Sequence, residues 1–246
     1  EDVPFDEYVA RQRARPPRDL EAFALRQHAL AAALRARDLL VNAFRLAYNL
    51  SLGLLLGKAS YSWTDVPINL ADMMRLLAEV HAHEIFVDGC FNGDPHPGNI
   101  LLMPDGRIAL VDYGQVKTVS PEFRLQYARL VVALADHDHA EAVRMAREIG
   151  MRTRKCDPEV MWRLITFHHD RDTDDVTMGK NLQLFMEWAE AKDPMVFTPS
   201  DLIFPARVSM MMRGLGNAFG VKASIAKLWR PYAQAVIDVH AREQRV

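Results

Sequence analysis

The run Gly93-Asp94-Pro95-His96-Pro97-Gly98-Asn99, followed thirteen residues after its Asn by Asp112-Tyr113-Gly114, constrains this chain more than any other feature. Two prolines in three residues fix φ and restrict the residue ahead of each, while Gly98 permits a backbone shape that side chains resist. Residues 99–112 read as an apolar run, a Pro104-Asp105-Gly106 turn and a second apolar run, the pattern of a β-hairpin with a longer-than-minimal turn. A hairpin brings its outer ends together. Asn99 and Asp112 are therefore expected side by side, with Asp94 on the loop that enters the first strand.

Those residue types point to phosphate and metal chemistry. Mg²⁺ takes hard oxygen ligands, and one or two protein groups suffice when phosphates and water complete its shell. Asp-x-x-x-x-Asn followed by Asp-Phe-Gly is the pattern in which a kinase carries its base and two metal ligands. Here Asp94 and Asn99 supply the first part, and Asp112-Tyr113-Gly114 supplies the second with Tyr in place of Phe. The Tyr113 ring keeps the aromatic group that packs under the loop. Either half alone is common by chance; the two flanking one predicted hairpin are specific.

The segment 87–115 resembles the ABC1 (UbiB) atypical kinase-like family, whose Asp-Pro-His-Pro-Gly-Asn core it carries at residues 94–99. Residues 201–207, Met212-Arg213-Gly214-Leu215-Gly216 and Trp229-Arg230-Pro231-Tyr232-Ala233 resemble the C-terminal helices of the same family, so the likeness runs from about Pro67 to about Ala233. The resemblance implies a mainly α fold with a small β-hairpin, a protein-kinase-like C-terminal lobe. It also implies ATP and Mg²⁺ as cofactors, ATPase or kinase activity, and a link to isoprenoid quinone or other lipid metabolism in mitochondria or plastids. Carried over by position, Asp94 takes the catalytic role and Asn99 and Asp112 the metal-ligand roles. His96 and Gly114 join Asp94, Asn99 and Asp112 as nucleotide-binding positions. Asn92 stands where the family usually has a loop-supporting His.

The N-terminal lobe that such a site needs is not legible. Lys58 is the only lysine ahead of the loop, and it does not sit in a strand-like Val-Ala-Ile-Lys context. Residues 1–60 hold no alternating β-branched run and no glycine before Gly53. The expected organisation is a helical leader over 1–60 and a kinase-like lobe over 61–246. Without the N-terminal lobe the chain reads as a fragment, a truncated gene model or a degenerate member with low activity alone, and the opening Glu1 favours a processed or excised piece. Two other readings stay open. One is a small-molecule phosphotransferase of the aminoglycoside or choline kinase type. The other is a non-catalytic pseudokinase scaffold that binds lipid or protein.

A net charge of −2 gives no pull on nucleic acid, and two cysteines, Cys90 and Cys156, fit free buried thiols in a reducing compartment. No targeting segment is visible, since acids at residues 1, 2, 6 and 7 offset the basic run at 11–18. Residues 38–57 are the most apolar, interrupted at near-helical spacing by Asp38, Asn42, Arg45 and Asn49. That is an amphipathic helix packing on the lobe, with contact to a membrane surface as the competing reading. Periodicity and caps predict helices over 19–56, 70–83, 120–136, 139–149, 158–169, 179–191, 200–217 and 223–243, a linker over 58–69 and a short strand over 85–87.

Other clusters carry less. Asp136-His137-Asp138-His139 with Glu141 reads as helix caps rather than a metal site. Residues 168–175 read as a charged, solvated loop, and His81 and His83 are too close in sequence to share a helix face. Met210–Met212 read as adaptable packing, and Arg213 as the partner of a buried acid.

Overall fold

A computed structural model describes residues 18–64, 70–103, 108–218 and 222–244. The Pro104-Asp105-Gly106 turn and the last residues of the expected linker lie outside these. The chain is mainly helical with small antiparallel strand pairs, as expected for a kinase-like C-terminal lobe.

Helix α1 (Arg18–Leu50) leads through a single turn (Gly53–Leu56) into extended backbone that doubles back along it. The polar stripe of α1 is its buried face. Asn49 bonds both the N–H and the C=O of Ala59 (2.7 and 2.9 Å), and Asn42 does the same to Ser62 (3.1 and 2.9 Å). Asp38 accepts from the Thr64 N–H at 2.5 Å. The spacing explains the fit: seven helical residues rise about 10.5 Å, and three extended residues span about 10 Å. Two asparagines a heptad apart therefore serve as a strand partner. The expectation that the apolar face packs on the lobe is overturned, because Leu39, Leu40, Phe44, Leu50 and Leu55 are exposed. Among the described residues no helix is long and apolar enough to cross a membrane.

Helix α2 (Leu70–His83) runs on as a π-helical turn (Glu84–Asp88) where a strand was expected over 85–87. Ile85 and Phe86 are buried there, and the buried Glu84 carboxylate lies 3.0 Å from His81 Nδ1. Burial and that pair outweigh the local β-propensity. Gly89, at φ 66°, ends the turn with its N–H on the Glu84 C=O. The strand appears five residues later than expected, as β1 (Cys90–Asn92). A 3₁₀ turn (Pro97–Asn99) follows, then β2 (Ile100–Leu102), β3 (Ile108–Leu110) and β4 (Val116–Thr118). β2 pairs with β3, Ile100 opposite Leu110, and β1 pairs with β4, Asn92 opposite Val116. The outer pair was not anticipated.

Helix α3 (Pro121–Ala135) starts as predicted, with Ser120 capping the Phe123 N–H at 3.1 Å. After α4 (His139–Ile149), the two residues of β5 (Arg152–Thr153) pair with β6 (Met195–Phe197), again unanticipated. Between them lie α5 (Pro158–His169), a single turn (Asp174–Thr177) and α6 (Leu182–Lys192). α6 begins three residues later than expected, because Met178 and Gly179 have positive φ and Asn181 provides the cap. Helices α7 (Ser200–Ala218) and α8 (Ile225–Glu243) close the body. The core gathers where α8 meets α2, α3 and the π turn. Phe86 stacks on Tyr127 at 5.7 Å, and buried Trp229 donates Nε1–H to the Ala78 C=O at 2.9 Å. Each such side chain contributes roughly 1.5–3 kcal/mol by burial.

Several smaller expectations change. Neither cysteine is in a disulfide; Cys90 is buried, but Cys156 is exposed. The charged 168–175 run is not solvated throughout: His169 and Asp170 are buried, and Asp170 accepts from the Ala226 N–H at 3.1 Å. Arg213 is buried, but its acid is not: it pairs at 3.7 Å with the half-exposed Asp172 and donates to the Phe167 C=O. Asp136 pairs with Arg230 (2.7 and 2.9 Å), Asp138 caps α4, and His139 stacks on Trp162. Among the described residues no group of three or more His, Cys, Asp or Glu side chains is disposed to hold a metal. Met212 is buried in the core and Met210 is partly exposed.

Candidate active site

The inner hairpin delivers its two ends together. The Val111 N–H donates to the Asn99 C=O at 3.0 Å, and Asn99 Nδ2 lies 3.4 Å from Asp112 Oδ2. The other Asp112 oxygen accepts from the Gly114 N–H at 2.8 Å, an Asx turn that leaves Oδ2 free toward Asn99. A Cβ at Gly114 would lie 3.2 Å from Asp112 Oδ1. Tyr113 packs on Cys90 and Val116 beneath the loop.

Around Pro95 and Pro97 the loop bonds to itself. The His96 N–H reaches the Asp94 C=O, and the Asn99 N–H reaches the His96 C=O, each at 2.8 Å. His96 Nδ1 accepts from the Gly98 N–H at 3.1 Å, so this ring braces the turn. Among the described residues nothing bonds the Asp94 carboxylate, which is only partly buried.

One buried residue ties the two halves together. Asn92 accepts the Asp94 N–H on Oδ1 at 2.9 Å and donates Nδ2–H to the Asp112 C=O at 2.8 Å. Its own N–H lies 3.4 Å from Glu84 Oε2, the oxygen that meets His81. The chain His81–Glu84–Asn92 thus runs from the end of α2 to both aspartates. An asparagine does here what the resemblance assigns to a loop-supporting histidine. Glu84 was not singled out from sequence, and His81 only as one of a pair too close to share a helix face. Their signal was the Asn two residues before Asp94, which needed partners of its own. On the far side, Gln115 accepts the Gly93 N–H on its C=O (2.7 Å), and its side-chain oxygen accepts from Arg207 on α7 (2.7 Å).

The donor set fits a hard divalent cation. Adjacent ligands of an octahedral Mg²⁺ sit about 2.9 Å apart, from Mg–O distances near 2.0–2.1 Å. The 3.4 Å between the Asn99 amide and Asp112 Oδ2 is close to that spacing. The Asn99 amide must present its oxygen rather than its nitrogen, which a half-turn of that group achieves. The exposed position of Asp112 leaves room for phosphate and water to fill the remaining places.

Residues 58–146 match the ABC1 atypical kinase-like domain. An ABC1 family protein of Purpureocillium lilacinum is 39% identical over 92 residues, which cover 35% of this chain and 16% of that protein. The chloroplastic Activity of BC1 Complex Kinase 1 of Arabidopsis thaliana is 32% identical over 93 residues, 38% of this chain and 14% of the relative. The chicken (Gallus gallus) AarF domain-containing protein kinase 1 is 35% identical over 88 residues, 34% of this chain and 17% of the relative. The matched segments thus span about a sixth of these relatives' length.

Proposed function

We propose that this chain is a member of the ABC1 atypical kinase-like family, whose domain residues 58–146 match, and that its hairpin site takes part in Mg²⁺-dependent phosphoryl transfer from ATP. The observation that carries this reading is the pairing of Asn99 with Asp112 at the mouth of the hairpin, with Asp94 held on the adjoining loop by Asn92. Asn99 and Asp112 would hold the cation, and Asp94 would orient or deprotonate the attacking hydroxyl or water. His96 and Gly114 keep the turn and the Asp112 carboxylate in shape for the nucleotide. When bound, Mg²⁺-ATP supplies the phosphoryl group and neutralises its charge.

Phosphoryl transfer depends almost wholly on positioning and electrostatics. The described residues ahead of α2 form a helix and its returning segment rather than a strand bearing a lysine. We therefore take residues 1–60 as a helical leader, 61–246 as the catalytic-loop lobe, and the turnover of this chain alone as weak or nil. A tie to isoprenoid quinone or other lipid metabolism in a plastid or mitochondrion is part of the proposal, with the plastid side supported by chloroplastic relatives. Peripheral contact with a membrane draws support from the exposed leucines of α1.

Thermal unfolding with ATP and Mg²⁺, against an Asp112→Ala control, tests the site. A ligand that binds only the folded state raises stability by mass action. An upward shift that needs both Mg²⁺ and Asp112 is expected. A shift of equal size in Asp112→Ala, or none in either protein, rejects the site as drawn.

A further inference from the structure

Beyond Gln115, a cavity of about 620 Å³ opens between α5, the β5–β6 pair and the first half of α7. Its volume falls within the range of small-molecule sites. Ile165, Met195, Leu202 and Phe204 are among its apolar lining, and Gln115, Thr198, Arg207 and two histidines add polar groups. Among the described lining residues none is a carboxylate, and Arg207 is the one permanent charge.

Burial holds both histidines toward the neutral form. Burial pushes His168 down and His169 well down from the usual imidazole range. Tyr127 is fully buried, and burial followed by the charge of Asp170 keeps its phenol protonated. Its hydroxyl lies 3.1 Å from His169 Nδ1 and hydrogen-bonds to that ring. His168 Nδ1 sits 2.7 Å from the Leu164 C=O, which can only accept, so its Nε2 keeps a lone pair. Neither ring competes with Arg207 as a cation.

Arg207 is half-buried, and one nitrogen is engaged, to the neutral side-chain oxygen of Gln115 at 2.7 Å. A guanidinium with no acid beside it among the described residues, at the edge of an apolar hollow, matches a carboxylate attached to an apolar body. A cationic amphiphile would find no counter-charge in that lining. We propose that this cavity binds one apolar monoanion, a free alkyl carboxylate, with its head on Arg207 and its chain against Ile165, Met195 and Leu202. The head group would lie one hydrogen bond from Gln115, whose backbone holds Gly93 at the root of the Asp94 loop.

Isothermal titration of the full chain with decanoate below its micellar concentration tests this, with decanol and decylammonium as neutral and cationic controls. One saturable site per chain is expected, with decanoate at least tenfold tighter than either control. Arg207→Met should erase that preference. Ala206→Phe should fill the cavity and abolish binding of all three. Should Ala206→Phe fail to fold, Met210→Asp at the partly exposed rim sets a carboxylate beside the head group and should weaken decanoate at least tenfold. Asp112→Ala should leave decanoate binding intact, which separates this site from the nucleotide site. Absence of saturable binding overturns the proposal, as does decanoate affinity unmoved by both Arg207→Met and Met210→Asp.

Discussion

Replacing Asn92 with Ala tests whether one buried amide holds the active-site halves together. The side chain is 2% exposed and makes two bonds, from the Asp94 N–H at 2.9 Å and to the Asp112 C=O at 2.8 Å. A net hydrogen bond is worth about 0.5–1.5 kcal/mol, and a buried orphaned partner costs about 1–3 kcal/mol. The Asp112 residue is exposed, so its carbonyl can recruit water, and the main penalty falls on the Asp94 N–H. The total comes to about 2–4 kcal/mol. For a chain of this size each kcal/mol moves the midpoint by about 2–4 °C, so Tm should fall by roughly 4–16 °C. Urea unfolding gives the free energy directly. A second readout separates loop geometry from bulk stability. With the Asp94 loop unpinned, Mg²⁺-ATP should bind at least tenfold more weakly, which trims its saturating stabilisation by about 1.4 kcal/mol. Asn92→Asp keeps the acceptor for Asp94 but sets a carboxylate against the Asp112 carbonyl and near Glu84, so it should cost at least as much as Ala. If Asn92→Ala costs less than about 0.5 kcal/mol and leaves the nucleotide shift unchanged, the hub argument is wrong.

Gly93→Ala would place a Cβ 3.0 Å from Phe204 Cδ1 and 3.2 Å from the Gln115 C=O, and should destabilise by about 1–3 kcal/mol in urea, with partial rescue by adding Phe204→Leu. His169 titrates well below its unfolded value, so the unfolded chain binds more protons below about pH 6.5 and stability must fall as pH drops. The slope should approach about 1.4 kcal/mol per pH unit between pH 6.5 and 5, and His169→Gln should flatten it in denaturation curves taken across that window. The double change Asn42→Ala and Asn49→Ala removes four bonds to the returning segment and should open a chymotrypsin cut at Tyr61 or Trp63, both more than half exposed. An unchanged digestion pattern would mean the segment is held by something other than the asparagines.

What the sequence by itself determined is what short-range patterning encodes. Two apolar runs around a turn specify a hairpin, and a hairpin must oppose Asn99 and Asp112. Ser120-Pro121-Glu122 specifies a helix start because the cap oxygen and the proline act within one turn. Only the tertiary structure decided which faces are inside. The stripe of Asp38, Asn42 and Asn49 reads as the wet side of a helix until residues 59–64 return and consume its hydrogen bonds. Residues 85–87 read as a strand until burial and the His81–Glu84 pair keep them helical. The Asn92 bridge, the outer β1–β4 pair and the cavity beside Arg207 join residues 20 to 92 positions apart. Such pairings leave no periodic trace, because their partners lie far apart in the sequence and meet only in the folded chain.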